Sequence, residues 1–311
     1  AYSSVLKRTR RGYHRLAAQW LEEVTVRSRR SDEFANLIAG HYDAADELEE
    51  AARWYMQAGR QAARRFANDE ALAAFSRAAE LLSPTPPAAL YAVLAERERV
   101  YDLLGRRTEQ ALDLQQMEAL AVHMRGSLAG AETALRRSRL ALAQGDYPGA
   151  LDAVQTAAGL AHASQAKDIE AAALLQYGQV LLRQGEYGAA LVQMQAATAL
   201  ARAADDRSLQ ADSLHGQAMA QVFMGEFDAA QDSFEAALAE AVAAGNRRLE
   251  CTLLNRLSWV PTNRNDYWLA VHYVERSLAL SREIGDRLAE ANALTNLGNS
   301  YIQLSDYGRG E

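Results

Sequence analysis

Apolar positions along the chain follow helical spacing, and one pattern of apolar and polar positions returns every 40 residues. In each copy a turn residue is followed by an acidic residue and then by an aromatic residue, as in Gly185-Glu186-Tyr187. A small residue stands three positions after the aromatic one, and a Leu stands 11 positions before the turn, as Ala190 and Leu174 do. Several columns that share one frame indicate an internal repeat. The turn column contains Gly145, Gly185, Gly225, Asn265 and Ser305, and Gly105 extends it upstream.

The residue types of this pattern predict pairs of antiparallel helices. Gly, and to a lesser degree Asn, ends a helix by adopting the left-handed conformation. The acidic residue after it is suited to cap the next helix, and the aromatic and small residues fill the space between the two helices. Each hairpin has an apolar face that it cannot bury alone, so neighbouring hairpins must stack. We therefore predict an all-α fold, a right-handed α-solenoid of antiparallel helix hairpins.

Composition agrees with a helical protein. Of the 311 residues, 64 are Ala and 49% are hydrophobic, which favours helices and argues against a sandwich, a barrel or a parallel sheet. The single cysteine, Cys251, excludes a disulfide framework and a multi-cysteine metal centre. Apolar runs are too short to span a membrane and no signal segment opens the chain, so we predict a cytoplasmic protein without membrane contact. The 31 Arg against two Lys indicate a GC-rich, bacterial genome.

Two parts of the chain differ in regularity. Residues 1–82 predict a helical segment with degenerate repeats, and residues 88–311 carry regular repeats with turns near 105, 145, 185, 225, 265 and 305. The segment Ser83-Pro84-Thr85-Pro86-Pro87 between them is a predicted boundary, because closely spaced prolines break helices. Pro261 falls inside a predicted helix, which should kink or end early there.

The repeat columns closely resemble the tetratricopeptide repeat over about residues 90–311. The last copy carries the resemblance most clearly, with Leu294, Leu297, Gly298 and Tyr301 before Ser305-Asp306-Tyr307. Its period is longer than is usual for the family, as in the extended variety of bacterial regulatory ATPases and kinesin light chains. The resemblance implies a regulatory module for signal transduction that binds a protein or peptide.

The first part of the chain is similar to the segment that follows the nucleotide-binding core in signal-transduction ATPases with numerous domains. This resemblance implies the sensor arm of a larger bacterial signalling ATPase or transcription regulator, with an attached ATPase or output domain as partner. The chain itself contains no Gly-x-x-x-x-Gly-Lys-Ser/Thr loop. Two alternatives stay open, a standalone scaffold that joins partner proteins and a peptide-pheromone receptor. The positions that carry the similarity are Tyr2, Leu6, Lys7-Arg8, Arg10-Arg11, His14, Leu21, Ala39, His41-Tyr42, Ala58-Gly59 and Ala67-Asn68.

Catalytic and metal-binding chemistry have no motif in the sequence. No two of the six histidines have helical ligand spacing with a carboxylate between them, so we predict no metal site, no cofactor and no enzyme. Residues 1–30 carry a net charge of +6, from eight basic and two acidic side chains. Nucleic acid or anionic lipid could bind there, but we favour salt bridges with the acids that follow. Those acids are Asp32, Glu33, Asp43, Asp46, Glu47, Glu49 and Glu50.

The family resemblance also implies a binding groove, because the first helix of each hairpin lines the concave face in tetratricopeptide repeats. Arg, Asn and Gln side chains at these positions suit the backbone and carboxylates of an extended peptide, with Trp259, Phe223 and Met219 as apolar anchors. The alternative is that they are ordinary solvated helix positions. The last helix, about Leu288–Leu304, should expose an apolar face open to self-association. The predicted groove residues are Arg136, Arg139, Gln176, Gln179, Arg183, His215, Met219, Phe223, Asn255, Arg256, Trp259, Asn263, Asn296, Asn299 and Gln303.

Overall fold

A computed structural model describes residues 7–27, 31–82, 87–124 and 128–304, and these residues form helices joined by short turns. The helices are α1 Lys7–Arg27, α2 Ser31–Ala45, α3 Leu48–Arg64, α4 Asn68–Leu82, α5 Pro87–Leu104, α6 Arg107–Ala121, α7 Ala129–Gln144, α8 Tyr147–Ala163, α9 Lys167–Gln184, α10 Tyr187–Ala203, α11 Arg207–Met224, α12 Phe227–Ala243, α13 Arg247–Leu257, α14 Trp259–Asn263, α15 Tyr267–Ile284 and α16 Arg287–Gln303.

Helices that follow one another along the chain pack as consecutive hairpins, so the prediction of an all-α fold built from helix hairpins is confirmed. The chain divides into two compact units, residues 1–140 and residues 141–311. In the first unit α1 to α6 pack in sequence, and in the second α8 to α13 do so, followed by α15 and α16. Most of the predicted linker at 83–87, and the turn near 305, lie outside the described residues, so the boundary at the linker stays a prediction.

Left-handed backbone stands at the predicted turns. The turn-column glycines have positive φ values, including 84° at Gly185, and Asn265 has a φ of 59°. The acidic residue that follows caps the next helix only where it is Asp: Asp266 Oδ1 accepts from Leu269 N at 3.1 Å, whereas Glu186 makes no side-chain cap. The shorter side chain is the better N-cap. A second left-handed column, missed in the sequence because half of it is not Gly, contains Gln165, Asp205, Gly245 and Gly285.

The helix that contains Pro261 is interrupted, as predicted. It is divided into α13 and α14, and Ser258 stands between them. A proline at 261 has no N–H to donate to the carbonyl of Leu257, and its ring clashes with that carbonyl. The Ser258 hydroxyl donates to Asn255 O at 2.7 Å, and the Thr262 hydroxyl donates to Ser258 O at 2.7 Å. Side-chain hydroxyls thus satisfy carbonyls beside the break.

Two arginines of the basic segment at the start of the chain form salt bridges with acids that follow it. Arg11 lies 2.6 Å from Asp46, and Arg15 lies 3.4 Å from Glu47. The favoured interpretation of the +6 segment holds for these two arginines. Residues 1–6 and 28–30 of the segment lie outside the described residues. No helix in the described ranges is long and apolar enough to cross a membrane.

The second helix of each repeat in the second unit has a fully buried apolar residue at one fixed column position. Met194, on α10, lies between Gly178 on α9 and Gly216 on α11. A Cβ added at Gly178 would stand 2.7 Å from Met194 Cγ, which is closer than packed atoms allow, and would make a tight contact of 3.1 Å with the carbonyl oxygen of Ala190. The column, which is fully buried throughout, contains Val154, Met194, Phe234 and Val274.

This packing predicts a specific cost for Gly178→Ala. The new methyl group must displace Met194 and the α10 backbone, so we expect a loss of about 1–3 kcal/mol in the free energy of unfolding. The control is Gly159→Ala on α8, where no atom lies within 4 Å of the new Cβ. That change should stabilise the helix by about 0.5–1 kcal/mol. Urea unfolding followed by circular dichroism measures both, and partial recovery in Gly178→Ala/Met194→Val identifies Met194 as the obstacle. Equal effects of the two alanines would contradict the packing.

Candidate functional site

A polar cleft lies between α13–α14 and α16 in the second unit. Its volume is about 310 Å³, and four predicted groove residues line it: Asn255, Arg256, Trp259 and Asn296. The Asn296 carboxamide donates from Nδ2 to Asn255 Oδ1 at 2.8 Å. The two asparagines are 41 positions apart, so the repeat places them on neighbouring first helices. The structure therefore brings together four of the seven residues that the sequence predicted for the last two copies.

Arg256 and Trp259 form one wall of the cleft. The guanidinium carbon of Arg256 lies 4.2 Å from the centroid of the Trp259 ring, a close cation–π contact. Both side chains are half-buried, and burial lowers the pKa of Arg256. No described carboxylate pairs with this guanidinium, which remains a cation because arginine does not deprotonate in proteins. The cleft thus presents a positive charge that is neither fully hydrated nor neutralised.

Several cleft residues were missed in the sequence. Thr252 and Asn292 line the cleft and occupy one repeat column, 40 residues apart, one helical turn before the predicted positions. Extending the predicted positions by i−3 and i−4 would have found them. Arg248 also lines the cleft, with its Nε 2.9 Å from Asp286 Oδ2. The pKa of Asp286 is lowered, first by a hydrogen bond from the backbone of Ala289 and then by Arg248.

The predicted apolar anchors do not all reach this cleft. Among the described residues that line it, Trp259 is present, but Met219 and Phe223 are not. Met219 packs against the apolar core of α11 to α13, and the half-exposed Phe223 ring stacks on Tyr187 with centroids 5.1 Å apart. Of the three aromatic and Met side chains, Trp259 is the one placed beside the asparagines.

His215 is partly buried, and its ring packs beside Phe234 and does not line the cleft. Its Nε2 atom is buried and has no hydrogen-bond partner among the described residues, and its ring lies 6.1 Å from that of Phe234. Burial, with a smaller contribution from the charge of Arg256, lowers the pKa of His215 to about 4. The imidazole is therefore neutral at pH 7.

The remaining groove predictions in the second unit fall into two groups. Gln176 is only 5% exposed, and Asn263 Nδ2 donates to the carbonyl of Trp259 at 2.8 Å, so Asn263 helps to end α14. The others are exposed helix positions outside the cleft: Gln179, Arg183, Asn299 and Gln303.

Arg136 and Arg139 belong to the first unit. The Arg136 guanidinium is paired with the buried carboxylate of Glu98 and donates to Ala95 O at 3.3 Å. Gln110 Nε2 also donates to Glu98, at 2.7 Å. Arg136 therefore neutralises a buried acid, and breaking such a pair is costly. Arg139 is exposed.

The first unit has an apolar cleft that the sequence did not indicate. It lies between α3 and α5 and has a volume of about 340 Å³. Met56, Leu82 and Val93 contribute to its walls, and Glu49 and Arg53 also line it. Apolar side chains at helical spacing are read as core in a sequence, so a groove of this kind has no separate sequence signal.

A sequence profile described as tetratricopeptide repeat matches residues 169–241, which span α9 to α12. Residues 169–241 therefore match the tetratricopeptide repeat. Domains of this kind bind proteins or peptides, and the cleft between first helices lies in the unit that holds the matched repeats. No curated protein sequence matches the chain.

Several solved structures share this fold, and one of them contains a tetratricopeptide repeat sensor. The signal-transduction ATPase (STAND) protein with a tetratricopeptide repeat sensor from Pyrococcus horikoshii is 14% identical with a TM-score of 0.66, over 94% of this chain and 46% of that one. A Rap protein solved with competence and sporulation factor is 12% identical with a TM-score of 0.61, over 93% and 94%. BtubC from P. vanneervenii is 16% identical with a TM-score of 0.53, over 73% and 87%. The chain thus spans about half the length of the STAND protein.

The lowered pKa of His215 predicts that the stability of the second unit depends on pH. His215 binds a proton with a pKa of about 4 when folded, but near 6.5 when unfolded, so stability is lost as the pH falls from about 6.5 to about 4. Between pH 7 and pH 4.5 we expect His215→Leu to lose about 2 kcal/mol less unfolding free energy than the unmodified chain. His162→Leu is the control, because the side chain of His162 is 80% exposed. Urea titrations at both pH values measure the difference, and parallel curves for all three proteins would refute it.

Proposed function

We propose that the chain is a non-catalytic regulatory module that binds an extended peptide segment in the cleft between α13–α14 and α16. The observation that carries this proposal is the convergence of Asn255, Arg256, Trp259 and Asn296 on that one cleft. Each residue comes from the first helix of a hairpin, and each was predicted as a groove residue from its position in the repeat. The cleft is not an enclosed cavity, which suits a chain segment better than a small enclosed substrate.

The chemistry of the cleft supports a peptide ligand. A carboxamide can donate to a backbone carbonyl and accept from a backbone N–H at once, so Asn255 and Asn296 can each pair with a peptide bond. Their mutual hydrogen bond, at 2.8 Å, keeps both side chains in place before a ligand arrives. Preorganised side chains lose less conformational entropy on binding.

Arg256 and Trp259 would supply the strongest contacts. The ring face of Trp259 holds the guanidinium at 4.2 Å, which orients its N–H groups and limits its freedom. A half-buried cation without a described carboxylate partner gains most from a ligand that brings a negative charge or carbonyl oxygens. The aromatic ring also offers apolar area on this wall of the cleft, and aromatic anchors carry much of the binding energy of interfaces.

We further propose that this module is the sensor arm of a larger signalling ATPase or transcription regulator. Support comes from the fold similarity to the STAND sensor protein, of which the chain spans 46%. Ligand binding would then shift an attached ATPase or output domain, provided that the ligand has unequal affinity for two states.

The two alternatives are a standalone scaffold and a peptide-pheromone receptor. The Rap protein, which was solved with a peptide factor and has the same fold over 93% of this chain, favours a peptide ligand in either case. ATPase activity of the full parent protein with and without bound peptide separates a sensor arm from a scaffold.

The peptide-binding proposal is tested by selection from a phage-displayed library of random linear peptides on the immobilised protein. We expect selected peptides to bind Trp259→Ala and Arg256→Ala at least about tenfold more weakly, because each substitution removes a central contact. Gln195→Ala, at an exposed position on the second helix α10, should bind unchanged. Isothermal titration calorimetry gives the affinities. Peptides that bind the Trp259 and Arg256 variants as tightly as the unmodified chain would exclude this cleft as the site.

A further inference from the structure

The apolar cleft of the first unit occupies the same place in the repeat as the polar cleft of the second unit. On one wall Met56 corresponds to Asn255, because each stands ten positions before a turn residue with a positive φ. On the other wall Ala92 corresponds to Asn292, because each stands 13 positions before a member of the turn column. One cleft therefore has apolar side chains where the other has carboxamides.

This difference makes the apolar cleft a poor site for a peptide backbone. Among the described residues that line it, none is Asn, Gln, Ser or Thr, and the charged ones are Glu49 and Arg53. The Arg53 guanidinium already donates to Glu50 and Glu22, at 2.6 Å and 3.3 Å. The N–H and C=O groups of a peptide would lose water in this cleft without gaining partners, which costs free energy. A hydrocarbon chain has no such groups, and its burial is favourable.

A second cleft continues the apolar cleft along the same two helices. It has a volume of about 590 Å³ and lies between α3 and α5, towards their C-terminal ends. Arg60 follows Met56 by one helical turn, and Glu96 follows Ala92 by one turn, so the two clefts adjoin on the same helix faces. We call it the arginine cleft, because the basic residues that line it are Arg60, Arg64 and Arg99.

The arginine cleft has more positive than negative charge. Arg60 and Arg99 share one carboxylate, that of Glu96, at distances of 2.9 Å and 3.4 Å. The other acid of the cleft, Asp102, is paired with Arg107, which does not line the cleft. Each guanidinium has five N–H donors, so two arginines that share one carboxylate keep donors for a second anionic group.

We propose that the first unit binds a single-chain amphiphile, with its hydrocarbon chain in the apolar cleft and its carboxylate in the arginine cleft. From Ala52 to Arg64 the two clefts extend over about 18 Å of helix, which suits the extended chain of a medium-length fatty acid. Glu49 lies at the end remote from the arginines, so the reverse orientation would place one carboxylate beside another. This inference is independent of the peptide cleft, which lies in the other unit.

The test uses the delipidated chain and radiolabelled decanoate below its micellar concentration, in equilibrium dialysis. We expect one decanoate per chain. Octanoate and hexanoate should bind more weakly by about fourfold for each CH₂ removed, because each buried CH₂ contributes to the affinity. Decyltrimethylammonium, which has the same chain and a cationic head, should bind at least about tenfold more weakly than decanoate.

Variants assign the two ends of the ligand to the two clefts. Met56→Asn introduces the carboxamide that the polar cleft has at the corresponding position, and it should weaken decanoate binding at least about tenfold. Arg60→Gln/Arg99→Gln removes the two partners of Glu96, so this variant should prefer decyltrimethylammonium to decanoate. Arg137→Gln, at an exposed position on α7 that lines neither cleft, should bind decanoate as the unmodified chain does.

Circular dichroism shows whether each variant is folded, and Ala92→Asn takes the place of Met56→Asn if that variant is not. Three results would each overturn the proposal. They are no retention of decanoate by the unmodified chain, equal affinity for decanoate and decyltrimethylammonium, and full decanoate affinity in a folded variant with Asn in the apolar cleft.

Discussion

The fold depends on one packing contact. A buried side chain of each second helix lies between the two neighbouring first helices. In the second unit Met194 occupies this place, and glycines at 178 and 216 make the room for it. Phe234 and Val274 take the same place in later copies. Because interiors are packed as densely as organic crystals, this contact fixes how far apart successive first helices stand. Stacking of this kind replaces the central core of an ordinary domain.

The cleft is a consequence of that spacing. First helices held side by side align residues 40 or 41 positions apart, so Asn255 meets Asn296 and Thr252 stands near Asn292. The interruption of the helix at Ser258 separates the arginine of α13 from the tryptophan that begins α14, yet the guanidinium still lies over the ring. The repeat aligns the asparagines of the site, and the copy that is interrupted at Ser258 contributes the aromatic ring of Trp259.

The sequence predicted what repetition determines. Period, turn positions, the helix break at Pro261 and the neighbours in the cleft all follow from residues at fixed offsets. It did not predict contacts made by partners outside the columns. The repeat placed Arg136 in the predicted groove. Its guanidinium instead pairs with the carboxylate of Glu98, which is 38 positions away rather than 40. Gln176 is buried although Asn296, in the same column, lines the cleft, because burial depends on the side chains of the neighbouring copy.

The left-handed turns do not all carry the same backbone strain. Gln165 and Asp205 hold positive φ angles at junctions where later copies have Gly245 and Gly285. A side chain in that backbone conformation costs about 1 kcal/mol relative to glycine. Since each hairpin of such an array contacts mainly its neighbours, strain at a junction is not shared along the chain. The junctions before α9 and α11, and the junction before α15 where Asn265 has a positive φ, therefore carry local backbone strain that the glycine junctions do not.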